Sequence, residues 1–225
     1  MHSIIVTGAN RGLGKELHDI LVENELLFGN LIFISRVPVA EPQKSCRYIQ
    51  TDFGGQSGLD LTSAISSDNK AVVFINNAGT IEPIGKAQNI AVSDMENALR
   101  INCIAPLAIS QQLVRKTKEL DARLLVLNVS TGAARRPING WMTYCVSKAA
   151  AVMALDVLAS ENDHVEILHF DPGVMDTSMQ SYIRSKSTNI MPEVDFFREL
   201  KTNGALKNPR EVAENIIDVV RDFLL

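Results

Sequence analysis

Tyr144 and Lys148 lie four residues apart in the run Tyr144-Cys145-Val146-Ser147-Lys148. That spacing sets a phenol and an ammonium on one face of a helix. A phenol titrating at about 10 is a poor proton carrier near neutrality. A neighbouring ammonium favours the phenolate, so the pairing is expected to draw the Tyr144 pKa down toward the working range. Such a pair suits delivery of a proton to an alkoxide as it forms, which reduction of a carbonyl by hydride demands. Ser130 and Thr131 offer two hydroxyls at the end of a strand-like run. Adjacent strand residues point opposite ways, so one of the two can polarise the carbonyl beside the phenol. Thr131 is the favoured candidate, with Ser130 as the alternative near the substrate. Asn102 stands four residues before Pro106. Proline has no N–H, so the Asn102 main-chain carbonyl loses its helical partner and is free to accept from a bound water.

A second group of residues points to a dinucleotide. Thr7-Gly8-Ala9-Asn10-Arg11-Gly12-Leu13-Gly14 joins the first strand-like run to a helical stretch. Glycines there allow a tight turn and close approach of a pyrophosphate, while the helix start offers free N–H groups and a positive dipole end. The second strand-like run ends in Ser35-Arg36 with no acid, where an acid would select NAD by gripping the adenosine ribose. Arg36 and Arg11 supply two guanidinium groups suited to the extra ribose phosphate of NADPH. NADPH, and with it the reductive direction, is the expected cofactor choice.

These residues need a scaffold, and the chain's patterning supplies one. Strand-like runs are expected at Ser3–Thr7, Leu31–Ser35, Arg47–Gln50, Ala71–Asn76, Arg123–Val129 and Val165–Phe170, nearly continuous apolar stretches of the kind buried on both faces of a parallel sheet. Helices are expected over Gly14–Glu25, Gly58–Ser67, Asp94–Lys118, Tyr144–Ser160 and Pro209–Phe223. Alternation of this kind specifies a three-layer, doubly wound α/β sheet with right-handed crossovers, as one domain over residues 1–225. The less regular stretch Met175–Gly204 is expected to act as a lid beyond a strand's C-terminal end.

Bulk properties narrow the partners. A formal net charge of −4 gives no reason to expect nucleic acid or an anionic membrane. No apolar run reaches the roughly 20 residues of a membrane span, and a strand begins too early for a signal peptide. Cys46, Cys103 and Cys145 are scattered and the four histidines dispersed, so free thiols, a cytoplasmic setting and no metal site are expected.

The ordered set of motifs resembles the short-chain dehydrogenase/reductase family over nearly the whole chain. It runs from the T-G-x-x-x-G-x-G loop through Asp52-Phe53, Asn76-Asn77-Ala78-Gly79, Asn102, Ser130-Thr131, Tyr144-x-x-x-Lys148 and Asp171-Pro172-Gly173-Val174. The resemblance implies a Rossmann-like fold in which Tyr144 relays the proton and Lys148 also holds the nicotinamide ribose. It implies that Asn102 positions a water, and that Thr131, thirteen residues before the tyrosine, takes the place of the family's serine. It further implies cofactor contacts from Gly8, Asn10, Arg11, Gly12, Leu13, Gly14, Ser35, Arg36, Asp52, Phe53, Asn77, Ala78, Gly79, Pro172, Gly173, Val174 and Thr177, besides Tyr144 and Lys148.

Gly140-Trp141 and Val174-Met175-Asp176-Thr177 are similar to the branch holding sepiapterin reductases and bacterial benzil reductases. Trp141, Met142, Met175 and Met179 are then candidates for an apolar pocket that takes aromatic ketones or diketones, or else for core. The family's final strand, which carries the pterin-anchoring acid in sepiapterin reductases, is not expected here. That weakens the pterin reading in favour of a benzil-type carbonyl reductase. A silent dinucleotide-binding scaffold would be marked by loss of the tyrosine or lysine. The two long helices are expected to form the interface of a homodimer.

Overall fold

The computed structural model describes residues 1–55 and 59–225. Six parallel strands form one sheet: β1 (His2–Thr7), β2 (Asn30–Ser35), β3 (Arg47–Gln50), β4 (Ala71–Asn76), β5 (Arg123–Val129) and β6 (Val165–Phe170). Their order is β3-β2-β1-β4-β5-β6. The chain works outward from β1 to β3 and then returns to lay β4 against the other side of β1. That reversal opens a crevice beyond the C-terminal ends of β1 and β4, where open α/β sheets hold ligands. The central registers Ile5–Ile32 and Ile5–Phe74 join wholly buried residues. The edge strands differ from expectation, since β3 and most of β6 are only partly buried. An edge has one neighbour, so covering both faces matters less there.

Helices α1 (Gly12–Glu23), α2 (Glu25–Phe28) and α8 (Pro209–Leu224) lie on one face. There Leu17 and Leu21 of α1 meet Ile216 and Val220 of α8 over Ile4 and Val6. On the other face α3 (Val92–Leu99), α4 (Ala105–Glu119) and α5 (Met142–Ser160) set Leu113 and Leu155 over Ile5, Phe74 and Val126. Beyond β6 come α6 (Ser178–Arg184) and α7 (Val194–Thr202), so the stretch expected to be irregular holds two helices. α8 opens on Asn208, whose side chain accepts from the Arg210 N–H at 2.9 Å with Pro209 following; both are favoured helix starts.

Three helix expectations are corrected. Of Gly58–Ser67, Gly58 lies outside the described residues and the remainder forms only a 3-10 turn, Thr62–Ala64. The Asp60 carboxylate accepts from the N–H and hydroxyl of Thr62 (2.9 and 2.7 Å), and Gln112 takes the Leu61 N–H at 3.1 Å; such side-chain bonds compete with helical ones. The first long helix starts at Gly12 and stops at Glu23, where Asn24 turns its amide back to the Ile20 carbonyl at 2.8 Å. Asp94–Lys118 is interrupted by a π-helical turn at Arg100–Ile104, in which Ala105 N–H reaches the Arg100 carbonyl. Pro106 cannot donate to Asn102, and the widened turn accommodates that defect. Contrary to the run-length argument, α5 is long and apolar enough to cross a membrane, at mean hydropathy 1.4. Its buried side, with Tyr144, Lys148 and Leu155, packs inside the fold.

Candidate active site

Glycines shape the crevice. Gly8 has φ +73° and donates to the Ile34 carbonyl at 2.7 Å. A Cβ on Gly14 would lie 2.0 Å from the Gly8 oxygen, so only glycine lets α1 approach the turn this closely. The Thr7 hydroxyl accepts from the N–H groups of Asn77 and Ala78 (3.1 Å each), while the Asn77 amide donates to Thr7 O at 3.0 Å. The turns after β1 and β4 are therefore one bonded unit. Thr177, the N-cap of α6, lies against Gly12, where an added Cβ would meet its methyl at 3.4 Å. Asn10 and the exposed Arg11 stand in the same loop, and Arg11 begins α1 with no side-chain cap. These features fit a dinucleotide phosphate. Leu13 is a core residue, 4% exposed, so it can offer a ligand only its main chain.

At the end of β2 the Ser35 hydroxyl donates to the Val37 carbonyl at 2.6 Å, and the Gln50 amide donates to the Arg36 carbonyl at 3.2 Å. The Arg36 side chain is left exposed. Asp52 accepts the Gly54 N–H at 3.0 Å, while Phe53 packs on the α4–α5 side of the sheet.

Past β4 and β5 the candidate proton-handling groups converge. Asn102 is buried; its Oδ1 accepts the Thr80 N–H at 2.8 Å, and its Nδ2 donates to Thr80 O at 2.8 Å and to Ser147 Oγ at 3.0 Å. Ser147 donates in turn to the Tyr144 carbonyl at 3.0 Å. Lys148 Nζ donates to Val129 O at 2.9 Å. Gly79 leaves room between them, since a Cβ there would lie 3.3 Å from Asn102 Oδ1 and 3.7 Å from Lys148 Nζ. Thr131 caps the turn Gly132–Ala134, its hydroxyl accepting from Ala133 N at 3.3 Å. The Thr131 side chain also lies near enough to the Tyr144 phenol to pull its pKa down. Ser130 is held by its main chain, which donates to Phe170 O at 2.8 Å.

The expected fall in the Tyr144 pKa is overturned. Burial pushes the phenol well above its usual range, against the opposing pull of the Thr131 side chain, and Asp171 adds to the rise. The Lys148 amine is turned to Val129 and is itself pushed down to about 8 by burial. Desolvation, which penalises either charged form, sets both directions.

Trp141, Tyr144, Ile81, Ala133, Met191 and Phe197 form an apolar cluster, with Met179 and Val174 against it. Trp141 meets Tyr144 edge-on at 5.6 Å and stacks on Phe197 at 5.4 Å. The α6–α7 segment is docked on the turn before Trp141: Asn139 donates to Glu193 at 3.1 Å, and Gly140, at φ +83°, has Ile190 O 2.7 Å from where a Cβ would be. Two candidates fall elsewhere. Met175 packs with the α1–α8 side of the sheet, because successive residues alternate faces in the extended segment that bridges to Lys207 and its neighbour Val174 faces the aromatic cluster. Met142 is 36% exposed on α5. At Asp171-Pro172-Gly173, the Gly173 N–H is held by Asp171 at 2.9 Å, and Lys207 covers Gly173. Sequence reasoning missed Thr80 and Ser147. Thr80 acts through its main chain, which no side-chain pattern reveals, whereas Ser147 sits inside the Tyr–Lys spacing.

The family described as short chain dehydrogenase matches residues 2–188. A benzil reductase ((S)-benzoin forming) of Bacillus subtilis is 30% identical, over 98% of this chain and 93% of that protein. A sepiapterin reductase of Xenopus laevis is 28% identical, over 96% and 89%. The solved structure of the KRED1-Pglu enzyme superposes with a TM-score of 0.77 at 24% identity, over 95% and 92%.

Proposed function

The chain belongs to the short-chain dehydrogenase family, and on that premise we propose that it is an NADPH-dependent carbonyl reductase acting on aromatic ketones or diketones. The observation that carries the proposal is the convergence of Asn102, Ser147 and Lys148 on the turn of helix that holds Tyr144, whose ring lies in an apolar, aromatic wall.

NADPH, when bound, supplies the hydride to the carbonyl carbon. Gly8, Gly12, Gly14 and the start of α1 would seat its pyrophosphate, with Asn77 and Thr177 alongside, and Arg36 and Arg11 would take the extra ribose phosphate. Thr131 donates a hydrogen bond to the substrate oxygen and Tyr144 gives it a proton, so the product is the alcohol. A phenol held protonated by burial is a loaded donor, which suits reduction. Lys148, pushed down to about 8, can pass a proton on near neutrality, and the Asn102 carbonyl is available to a water beside it.

The aryl-binding wall and the likeness to benzil reductases support a vicinal diaryl diketone. The likeness to sepiapterin reductases keeps a pterin as the second reading. Retention of Tyr144 and Lys148 speaks against a silent scaffold. Met142, Val146, Met153 and Val157 form an exposed apolar stripe on α5, which supports a homodimer. Three free thiols support a cytoplasmic setting. The test is NADPH consumption by the purified protein with benzil, sepiapterin and a quinone. Turnover of benzil is expected, and no turnover with any of the three would refute the proposal.

A further inference from the structure

Trp141 is 5% exposed, and its Nε1 is buried without a hydrogen-bond partner. Among the described residues, it is the unpartnered buried polar atom whose own ring touches that of Tyr144. An indole N–H is a donor only, and leaving it unpaired in the interior forfeits its hydration with nothing in return. Most buried tryptophans find a partner. The ring lies between the phenol and Phe197 of α7, so lifting the α6–α7 segment would uncover the indole beside the reacting position. The wall around it, Ile81, Ala133, Met191 and Phe197, offers no side-chain acceptor.

Resting on the reductase reading above, we infer that Trp141 Nε1 donates a hydrogen bond to a second oxygen of the substrate, on the carbon adjacent to the carbonyl being reduced. The site then selects vicinal dicarbonyls. Tyr144 and Thr131 grip the oxygen that becomes the alcohol, and Trp141 grips the oxygen that does not react. The unreacted ketone is left as the product's second group, an α-hydroxy ketone. A site built to hydrogen-bond a substrate oxygen rejects analogues lacking it, because its donor is then left unpaired.

The test compares benzil with deoxybenzoin, which has one oxygen replaced by two hydrogens and the same two rings. Trp141→Phe keeps an aromatic ring and removes the N–H. The ratio of its kcat/KM for benzil to that for deoxybenzoin should fall about tenfold or more relative to wild type, whatever loss the two substrates share. Equal loss on both substrates, or none on benzil, overturns the inference. Trp141 is the chain's single tryptophan, so the unaltered protein gives an independent readout. With NADP+ present, benzil should shift the Trp141 emission to the red and deoxybenzoin should not; identical responses overturn the inference even if the variant misfolds. A wild type inert toward both compounds would refute the aryl-ketone reading of the site instead, and the emission comparison would still decide the Trp141 contact.

Discussion

The Lys148 ammonium donates to the Val129 carbonyl at 2.9 Å, which ties the middle of α5 to the last residue of β5. Burial at that point pushes Lys148 from 10.5 down to about 8. Between about 8 and 10 the unfolded chain therefore binds a proton that the folded protein has released, so this group makes stability rise with pH across that window. The gain is on the order of 2 kcal/mol. Above about 10 the buried phenol of Tyr144 acts in the opposite sense, because the unfolded tyrosine ionises first. Denaturant midpoints measured at several pH values check this, and Lys148→Met should abolish the rise.

Thr131→Val removes a hydroxyl and nearly keeps the shape. Loss of one such donor is expected to lower kcat by about 10²–10³. Thr131→Ser should stay close to wild type, and Ser130→Ala should change kcat only a fewfold. NADPH affinity should hold in all three. Steady-state kinetics with one good ketone decide the matter, and a crippled Ser130→Ala beside an active Thr131→Val would move the role to Ser130.

Arg36 is exposed at the end of β2 with its carbonyl fixed by Gln50. NADPH is expected to bind at least about tenfold more tightly than NADH, which corresponds to about 1.4 kcal/mol. Arg36→Asp should erase most of that preference. Titration of both cofactors against both proteins measures it, and equal wild-type affinities would exclude a role for the arginine.

The exposed apolar stripe on α5 is expected to pair two chains, giving a dimer rather than a tetramer in solution. Met153→Lys combined with Val157→Glu, at 65% and 46% exposure, should yield monomers without unfolding the chain, since neither side chain is core. Light scattering on both proteins is the measurement. A wild-type monomer at micromolar concentration, or a stable tetramer, contradicts the expectation.

Much of the architecture could be read before any coordinates. The bounds of β3, β4, β5 and β6 match the strand-like runs residue for residue, because central β4 and β5 need apolar residues on both faces and their ends are marked by polar turns. Helix bounds were harder. Asn24, Asp60 and Pro106 each redirect backbone hydrogen bonds locally, and the outcome depends on partners such as Gln112, 51 residues from Leu61.

The sequence alone determined what depends on neighbours along the chain: the glycine turn after β1, the strand–helix alternation and the one-turn spacing of Tyr144 and Lys148. Dihedral freedom and side-chain periodicity are properties of a few consecutive residues. Tertiary structure decided whatever depends on desolvation and on contacts across the chain. It set the upward direction of the Tyr144 pKa and turned Lys148 toward Val129, 19 residues away. It joined Asn102 to Ser147 across 45 residues and sent Met175 and Met179 to different clusters. Burial is a property of the packed interior, and a group's charge state follows the surroundings that the fold assembles around it.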